Sequence, residues 1–151
     1  MGHNLSAIIG NCAATEKLSA DWPCAQTIRL PQGYCLIPLT DDFFDTVTAA
    51  FGTSNEAGAT DLIYLTAAIH HLLCQYTVHN KLIYIETDYT GGVGTQAGAL
   101  YSNGQISVLP QNSSGTINRL LQALGVKRLP GKDEFDTLQL GRYRHTNDLV
   151  D

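Results

Sequence analysis

Hydrophobic and polar positions along the chain follow two periods, one typical of β-strands and one typical of α-helices. Compact apolar runs rich in β-branched and aromatic residues favour the extended chain. The predicted strands are residues 4–9, 26–30, 34–39, 82–85, 97–102 and 105–109. Between the last two, Asn103-Gly104 is a strong signal for a tight hairpin turn. The pattern therefore predicts a mainly antiparallel sheet of about five to six strands.

Helical spacing appears in three other segments. Thr40 is suited to be the N-cap of the first helix, which carries Asp41 and Asp42 in its first turn. The second runs from about residue 61 to Tyr76 and is apolar on two faces, so we expect it to be the central helix of the core. The third is a short amphipathic helix over residues 117–124. Residues 10–24 show no clear pattern.

Strands in runs and helices in blocks predict an α+β fold, with the sheet covered by two to three helices. A length of 151 residues suits one domain, 1–151. Residues 127–151 have little periodicity, and we expect them to form an irregular C-terminal tail packed on that domain.

The distribution of charge disfavours nucleic acid as a direct partner. The net charge is −5, and no basic residue lies between Arg29 and Lys81, where five acidic residues do. Such a surface repels phosphate backbones and attracts basic partners. The apolar runs are too short for an export signal or a membrane span, so we expect no membrane partner and a cytoplasmic location.

Four cysteines, Cys12, Cys24, Cys35 and Cys74, lack the CxxC spacing of metal sites. In a chain with no export signal, we expect reduced thiols, no disulfide and no bound metal. No motif indicates a cofactor.

A glycine-rich segment follows the strand over residues 82–85, with Gly91, Gly92 and Gly94 in it. It lacks the third glycine of a dinucleotide-binding fingerprint, and a hairpin follows it where that fingerprint requires a helix. We expect a strained turn in which at least one of these glycines has a positive φ.

Glu86 and Asp88 lie two residues apart at the end of this strand, so both can extend from one face. Paired carboxylates can act as acid and base or bind a hard cation. They can equally bond the amides of the glycine segment or face solvent. A small hydrolase-like enzyme centred on this pair is the alternative functional hypothesis.

Two further clusters have a functional and a structural interpretation. His70 and Cys74 are spaced i, i+4, which suits zinc or a Cys–His nucleophile, but they lie on an apolar helix face where core residues are commoner. The basic residues 142–145 could bind a phosphate. Pairing with the acidic residues Asp133, Glu134 and Asp136 explains them better.

Four segments of the chain carry a resemblance to known proteins. They are MGHN, IETDYTGGVGTQAGALY, INRLLQALGV and DEFDTLQLGRYRHTND. Together they resemble a group of small uncharacterised bacterial proteins with an MGHN start, a GGVG-x-Q loop and an LGR-x-R tail. Some members look like immunity proteins of polymorphic or contact-dependent toxins. The resemblance implies a stand-alone domain that inhibits by binding, and it implies no catalytic residues.

The residues agree with this implication, because an acidic domain without a catalytic motif suits an inhibitor of a basic toxin domain such as a nuclease. We therefore expect a binding protein and not an enzyme, with a cognate protein toxin domain as partner. An oligomeric scaffold protein is a third possibility. The residues expected to contact the partner are Asp41, Asp42, Asp45, Glu86, Asp88 and Tyr89.

Overall fold

The fold is a six-stranded antiparallel sheet with helices on both faces, which confirms the predicted α+β class. The computed structural model describes residues 3–51, 67–90, 93–112 and 115–146. The strands are β1 Ser6–Asn11, β2 Ile28–Arg29, β3 Tyr34–Pro38, β4 Lys81–Thr90, β5 Val93–Ser102 and β6 Gln105–Asn112. The described helices are α1 Cys12–Asp21, α2 Asp41–Phe51, α3 Ala67–Tyr76, α4 Thr116–Leu124 and α5 Glu134–Thr137.

Two apolar cores lie on opposite sides of the sheet, whose strand order is β2-β3-β1-β4-β5-β6. On one side, Ile8 and Tyr84 pack under α1, α2 and α3. On the other side, Ile9 and Ile83 pack under α4 and the C-terminal tail. All four side chains are fully buried. The central strands β1 and β4 are therefore apolar on both faces, which explains their uninterrupted apolar runs.

The segment without a clear pattern, residues 10–24, forms α1. The Asn11 side chain accepts a hydrogen bond from the Ala14 backbone N–H at 2.8 Å and so caps the helix, which ends before Trp22. Of its ten residues, only Ala14, Thr15 and Leu18 are buried. This stripe is too short to give a detectable helical period.

The second predicted helix is described from Ala67 onward, and its predicted start lies outside the described residues. α3 buries Ile69, Leu72 and Leu73 in the core that it shares with α1 and α2. Its remaining predicted apolar face, with His70 and Cys74, is half-buried. Residues 127–146 include α5 and pack on the α4 side of the sheet, where Leu138 and Leu140 are fully buried.

The glycine segment is a hairpin connection and not a long loop. β4 continues through Glu86 and Asp88 to Thr90, which pairs with Val93 of β5. Gly94 is a strand residue opposite Tyr89 and does not have a positive φ. Gly91 and Gly92 lie outside the described residues.

Close packing of α4 on β5 explains another glycine. A Cβ atom placed on Gly98 would lie 2.6 Å from Leu120 Cδ1 and 2.5 Å from the backbone oxygen of Tyr84. Both distances are shorter than van der Waals contact allows, so this position accepts no side chain. The missing side chain lets α4 approach the sheet closely.

A disulfide joins Cys12 to Cys35, with Cα atoms 5.0 Å apart. The expectation of four reduced thiols is therefore wrong. Cys35 pairs with Gly10 across β1 and β3, and α1 begins just beyond this pair, so its first residue lies over β3. The contact arises from strand register, which local cysteine spacing does not encode. Cys24 and Cys74 are free thiols.

Reduction of the disulfide should lower the free energy of unfolding by about 3 kcal/mol. The reason is that the bond closes a loop between cysteines 23 residues apart in sequence and so restricts the unfolded chain. Chemical denaturation with and without reductant measures this. The Cys12→Ala variant should be insensitive to reductant, and Cys24→Ser should behave as the wild type. Alkylation of four cysteines in the unfolded, unreduced protein would contradict the bond.

Asn103 and Gly104 form the predicted tight turn, with φ angles of 55° and 75° that define a type I′ hairpin. A Cβ atom on Gly104 would meet only ordinary contacts at 3.5 Å and beyond, so backbone strain alone would oppose it. We expect Gly104→Ala to destabilise the protein by about 1 kcal/mol in denaturant titrations.

Gly141 is the matched control for this substitution. It is exposed, has no positive φ and would place a Cβ atom 4.0 Å from its nearest neighbour. Gly141→Ala should therefore leave the stability nearly unchanged. Equal losses in the two variants would rule out the left-handed backbone as the cause.

Candidate functional site

The carboxylates predicted to contact a partner gather at one edge of the sheet. β3 and β4 both pair antiparallel with β1, so they run in the same direction and end at the same edge. α2 starts just after β3, and Glu86 and Asp88 lie in the last half of β4. We call the set Asp41, Asp42, Asp45, Glu86 and Asp88 the acidic edge.

Three of these carboxylates are positioned by the first turns of α2. The Thr40 hydroxyl accepts a hydrogen bond from the Phe43 backbone N–H at 3.2 Å, which confirms the predicted N-cap. Asp41, Asp42 and Asp45 are exposed. Phe43 is fully buried on the opposite side of the helix. The three acids therefore stand on the solvent side of a helix anchored in the core.

Glu86 and Asp88 extend from the face of β4 that carries α1, α2 and α3, since residues two apart in a strand share a face. Glu86 is half-buried, and its Oε2 accepts a hydrogen bond of 2.6 Å from the hydroxyl of buried Tyr84. Asp88 is exposed. The core thus holds one carboxylate of the pair, while the other faces solvent.

Tyr89 lies on the opposite face of β4 and is half-buried. Its hydroxyl accepts a hydrogen bond from Gln96 Nε2 at 3.0 Å. The Gln96 Oε1 atom in turn accepts one from the Ile117 backbone N–H in the first turn of α4, at 2.8 Å. Tyr89 is therefore connected to α4 and is separated from the carboxylates by the sheet.

Part of the basic cluster lies at the same edge, which the sequence did not predict. The backbone of Asn4 bonds to the backbones of Arg144 and Thr146, beside the start of β1. Arg144 and His145 are exposed there. The edge therefore carries positive charge between its two groups of carboxylates.

Two of the three acidic residues predicted to pair with that cluster have other partners. Asp133 accepts a hydrogen bond from Asn118 Nδ2 at 3.1 Å, and Glu134 accepts one from Gln122 Nε2 at 2.9 Å. These contacts attach α5 to α4. Asp133 and Glu134 therefore hold the tail to the domain through neutral amides.

A cavity of about 280 Å³ opens beside Tyr89, between the sheet, α4 and the tail. We call it the Tyr89 cavity. Its polar lining consists of His3, Thr87, Tyr89, Gln96, Asn118 and Asp133. Ile117 and Phe135 supply the apolar walls. Of these residues, only Tyr89 belonged to the predicted site.

His3 forms one side of the Tyr89 cavity. Its Nε2 lies 3.1 Å from the Leu140 backbone oxygen and must carry the proton for that hydrogen bond. Its Nδ1, 2.7 Å from Thr87 Oγ1, then accepts from the hydroxyl. Burial lowers the pKa of His3, the hydrogen bond to the Leu140 oxygen raises it in part, and the nearby Arg144 and His145 lower it further. The net effect of the fold is to favour the neutral imidazole.

The residues that line this cavity come from four separate parts of the sequence. His3 lies near its start, Tyr89 and Gln96 lie on β4 and β5, Asn118 lies on α4, and Asp133 precedes α5. These segments are far apart in sequence. The fold brings them together around one cavity.

The His70–Cys74 pair also contacts a buried tyrosine. His70 Nδ1 lies 2.7 Å from the Tyr101 hydroxyl, and its Nε2 lies 3.7 Å from Cys74 Sγ. Burial raises the pKa of the Cys74 thiol, and burial together with neighbouring His71 lowers the pKa of His70. An activated thiolate requires the opposite shifts, so these surroundings favour the neutral thiol and the neutral imidazole.

The described residues contain neither a metal-binding cluster nor a membrane-spanning helix. None of the His, Cys, Asp and Glu side chains there form a group of three that could hold a metal ion. No helix in the same residues has the length and apolar character needed to cross a membrane.

Comparison of the chain with protein-family models, curated proteins and solved structures finds no match. The candidate sites therefore depend on geometry and chemistry alone.

The two neutral histidines predict how stability depends on pH. The pKa values of His3 and His70 are lower in the folded protein than in the unfolded chain. Their contribution to the stability of the fold is therefore complete above the unfolded pKa of about 6.5, and it is lost as the pH falls through their folded pKa values. Melting temperatures measured from pH 7.5 to pH 5 should decrease over this range. The melting temperature of the double variant His3→Gln/His70→Gln should decrease less over the same pH range.

His79 provides the control, because it is exposed and follows α3 outside both clusters. His79→Gln should reproduce the wild-type pH dependence. If all three proteins lost stability equally between pH 7.5 and pH 5, the two buried histidines would not be responsible.

Proposed function

We propose that the protein binds and neutralises a cognate bacterial toxin domain with a basic surface, such as a nuclease domain. The observation that supports this best is the acidic edge. β3 and β4 run in the same direction, and this brings two groups of carboxylates that are distant in sequence to the same edge of the sheet.

The electrostatic balance of this edge favours a basic partner. Asp41, Asp42, Asp45 and Asp88 are exposed and outnumber the guanidinium of Arg144. Complementary charge accelerates association and selects against acidic partners. The alternation of acidic and basic groups adds specificity, since a partner must place a negative group opposite Arg144.

The rigidity of the edge favours binding without reorganisation. α2 is anchored by fully buried Phe43 and Val47, and Glu86 is held by the Tyr84 hydroxyl. A surface held in place in this way loses little conformational entropy when a partner docks. We expect an interface of standard size, about 1,200–2,000 Å² in total, centred on the start of α2 and the end of β4.

Charge reversal tests the role of the acidic edge. Asp45→Lys and Asp88→Lys should each slow association with the proposed cognate toxin domain by about 3- to 10-fold at low salt and weaken the salt dependence of the rate. The melting temperature should change little because both side chains are exposed. Surface plasmon resonance at several salt concentrations gives the rates.

Glu16→Lys is the matched control. Glu16 is exposed on α1, which starts at the opposite edge of the sheet, and it pairs there with exposed Arg29. The same charge change at this position should leave the association rate nearly unaltered. Equal slowing by all three variants would show that net charge matters and the acidic edge does not.

Co-expression tests the function itself. The wild-type protein should restore growth to cells that produce the proposed cognate toxin domain, and it should co-purify with that domain. Failure of both would refute the proposal.

A further inference from the structure

The polar groups of the Tyr89 cavity do not satisfy all of their hydrogen-bonding capacity within the protein. The Tyr89 hydroxyl accepts from Gln96 Nε2, and among the described residues its own proton has no acceptor. Gln96 Nε2 and Asn118 Nδ2 each donate one hydrogen bond, to Tyr89 and to Asp133, and each retains a second N–H. Three donors therefore remain available around the cavity.

The acceptors of the same side chains are already engaged. Gln96 Oε1 accepts from the Ile117 N–H at 2.8 Å, and Asn118 Oδ1 accepts from the Phe135 N–H at 2.9 Å. His3 Nδ1 is taken by Thr87, whose oxygen also accepts from the Leu5 N–H. Each of these acceptors thus has at least one partner, whereas the three donors have none among the described residues.

Asp133 is the one carboxylate in the lining, and it is oriented by the protein. Its Oδ2 accepts from Asn118 and its Oδ1 from the Asp136 N–H at 2.8 Å. Both carboxylate oxygens of Asp133 therefore already accept a hydrogen bond from the protein.

The shape of the cavity limits the rest of the ligand. A volume of about 280 Å³ suits one small ring system. The Phe135 ring stands at 57° to that of His3, with centroids 5.7 Å apart, and Ile117 adds an aliphatic wall. A flat apolar body can pack between these groups.

We propose that the Tyr89 cavity binds a small ligand with an oxygen-acceptor headgroup, a carboxylate or a carboxamide, on a flat apolar body. The headgroup receives hydrogen bonds from Tyr89, Gln96 and Asn118, and the body packs against Phe135 and Ile117. The cavity opens on the face of β4 opposite Glu86 and Asp88, so this site is independent of the acidic edge.

Titration of the ¹⁵N-labelled full chain with benzoate, benzamide and benzylamine tests the proposal, since the three probes share a ring and differ in their headgroups. Benzoate, benzamide or both should shift the side-chain amide resonances of Gln96 and Asn118 at millimolar concentration, and benzylamine should not. The comparison of benzoate with benzamide identifies the charge of the preferred headgroup. Stronger shifts with benzylamine, or none with either oxygen probe, would overturn the proposal.

Two substitutions locate the donors. Gln96→Glu keeps the acceptor for the Ile117 N–H but removes the amide donor, and it should weaken benzoate binding at least 10-fold. Tyr89→Phe removes one hydroxyl and should lower the affinity for the oxygen probe that binds by about 3- to 10-fold.

Matched controls exist for both variants. Gln105→Glu introduces the same charge at the exposed start of β6, and Tyr143→Phe removes a hydroxyl from a tyrosine packed elsewhere on the α4-side core. Neither should change binding. If the control substitutions lowered the affinity for the oxygen probes as much as the cavity substitutions did, the Tyr89 cavity would not be the binding site.

Discussion

Burial of β1 and β4 on both faces is the constraint on which the rest of this structure depends. Two adjacent strands with apolar side chains above and below cannot face water on either side. One side is closed by α1, α2 and α3, and the other by α4 and the C-terminal tail. The tail is therefore part of the core, because without it the α4 side of these strands would lack the cover given by Leu138 and Leu140.

The same arrangement places the two candidate sites on different faces of one strand. Alternation along β4 sends Glu86 and Asp88 toward the helices that follow β3, and Thr87 and Tyr89 toward α4. A charged surface for a macromolecule and a cavity for a small group can then share one edge of the sheet without sharing side chains.

Local patterns predicted the parts of the fold that depend on local physics. Asn103-Gly104, the Thr40 cap and the amphipathic α4 are each fixed by residues close together in sequence, and the structure confirms them. The disulfide and the Tyr89 cavity depend on strand register and on where the tail docks, which no local window contains. The sequence pattern did not predict α1 because the apolar stripe of this helix is short. The acidic residues were recognised, but their meeting at one edge required the order of β3, β1 and β4.

The contact of Asn4 with Arg144 and Thr146 has a consequence for how the chain matures. The first strand obtains this neighbour, and His3 obtains Leu140, only after residues 140–146 have been synthesised. Contacts of such sequence separation are slow to form. The His3 side of the Tyr89 cavity therefore cannot be assembled during translation until this distant segment has left the ribosome.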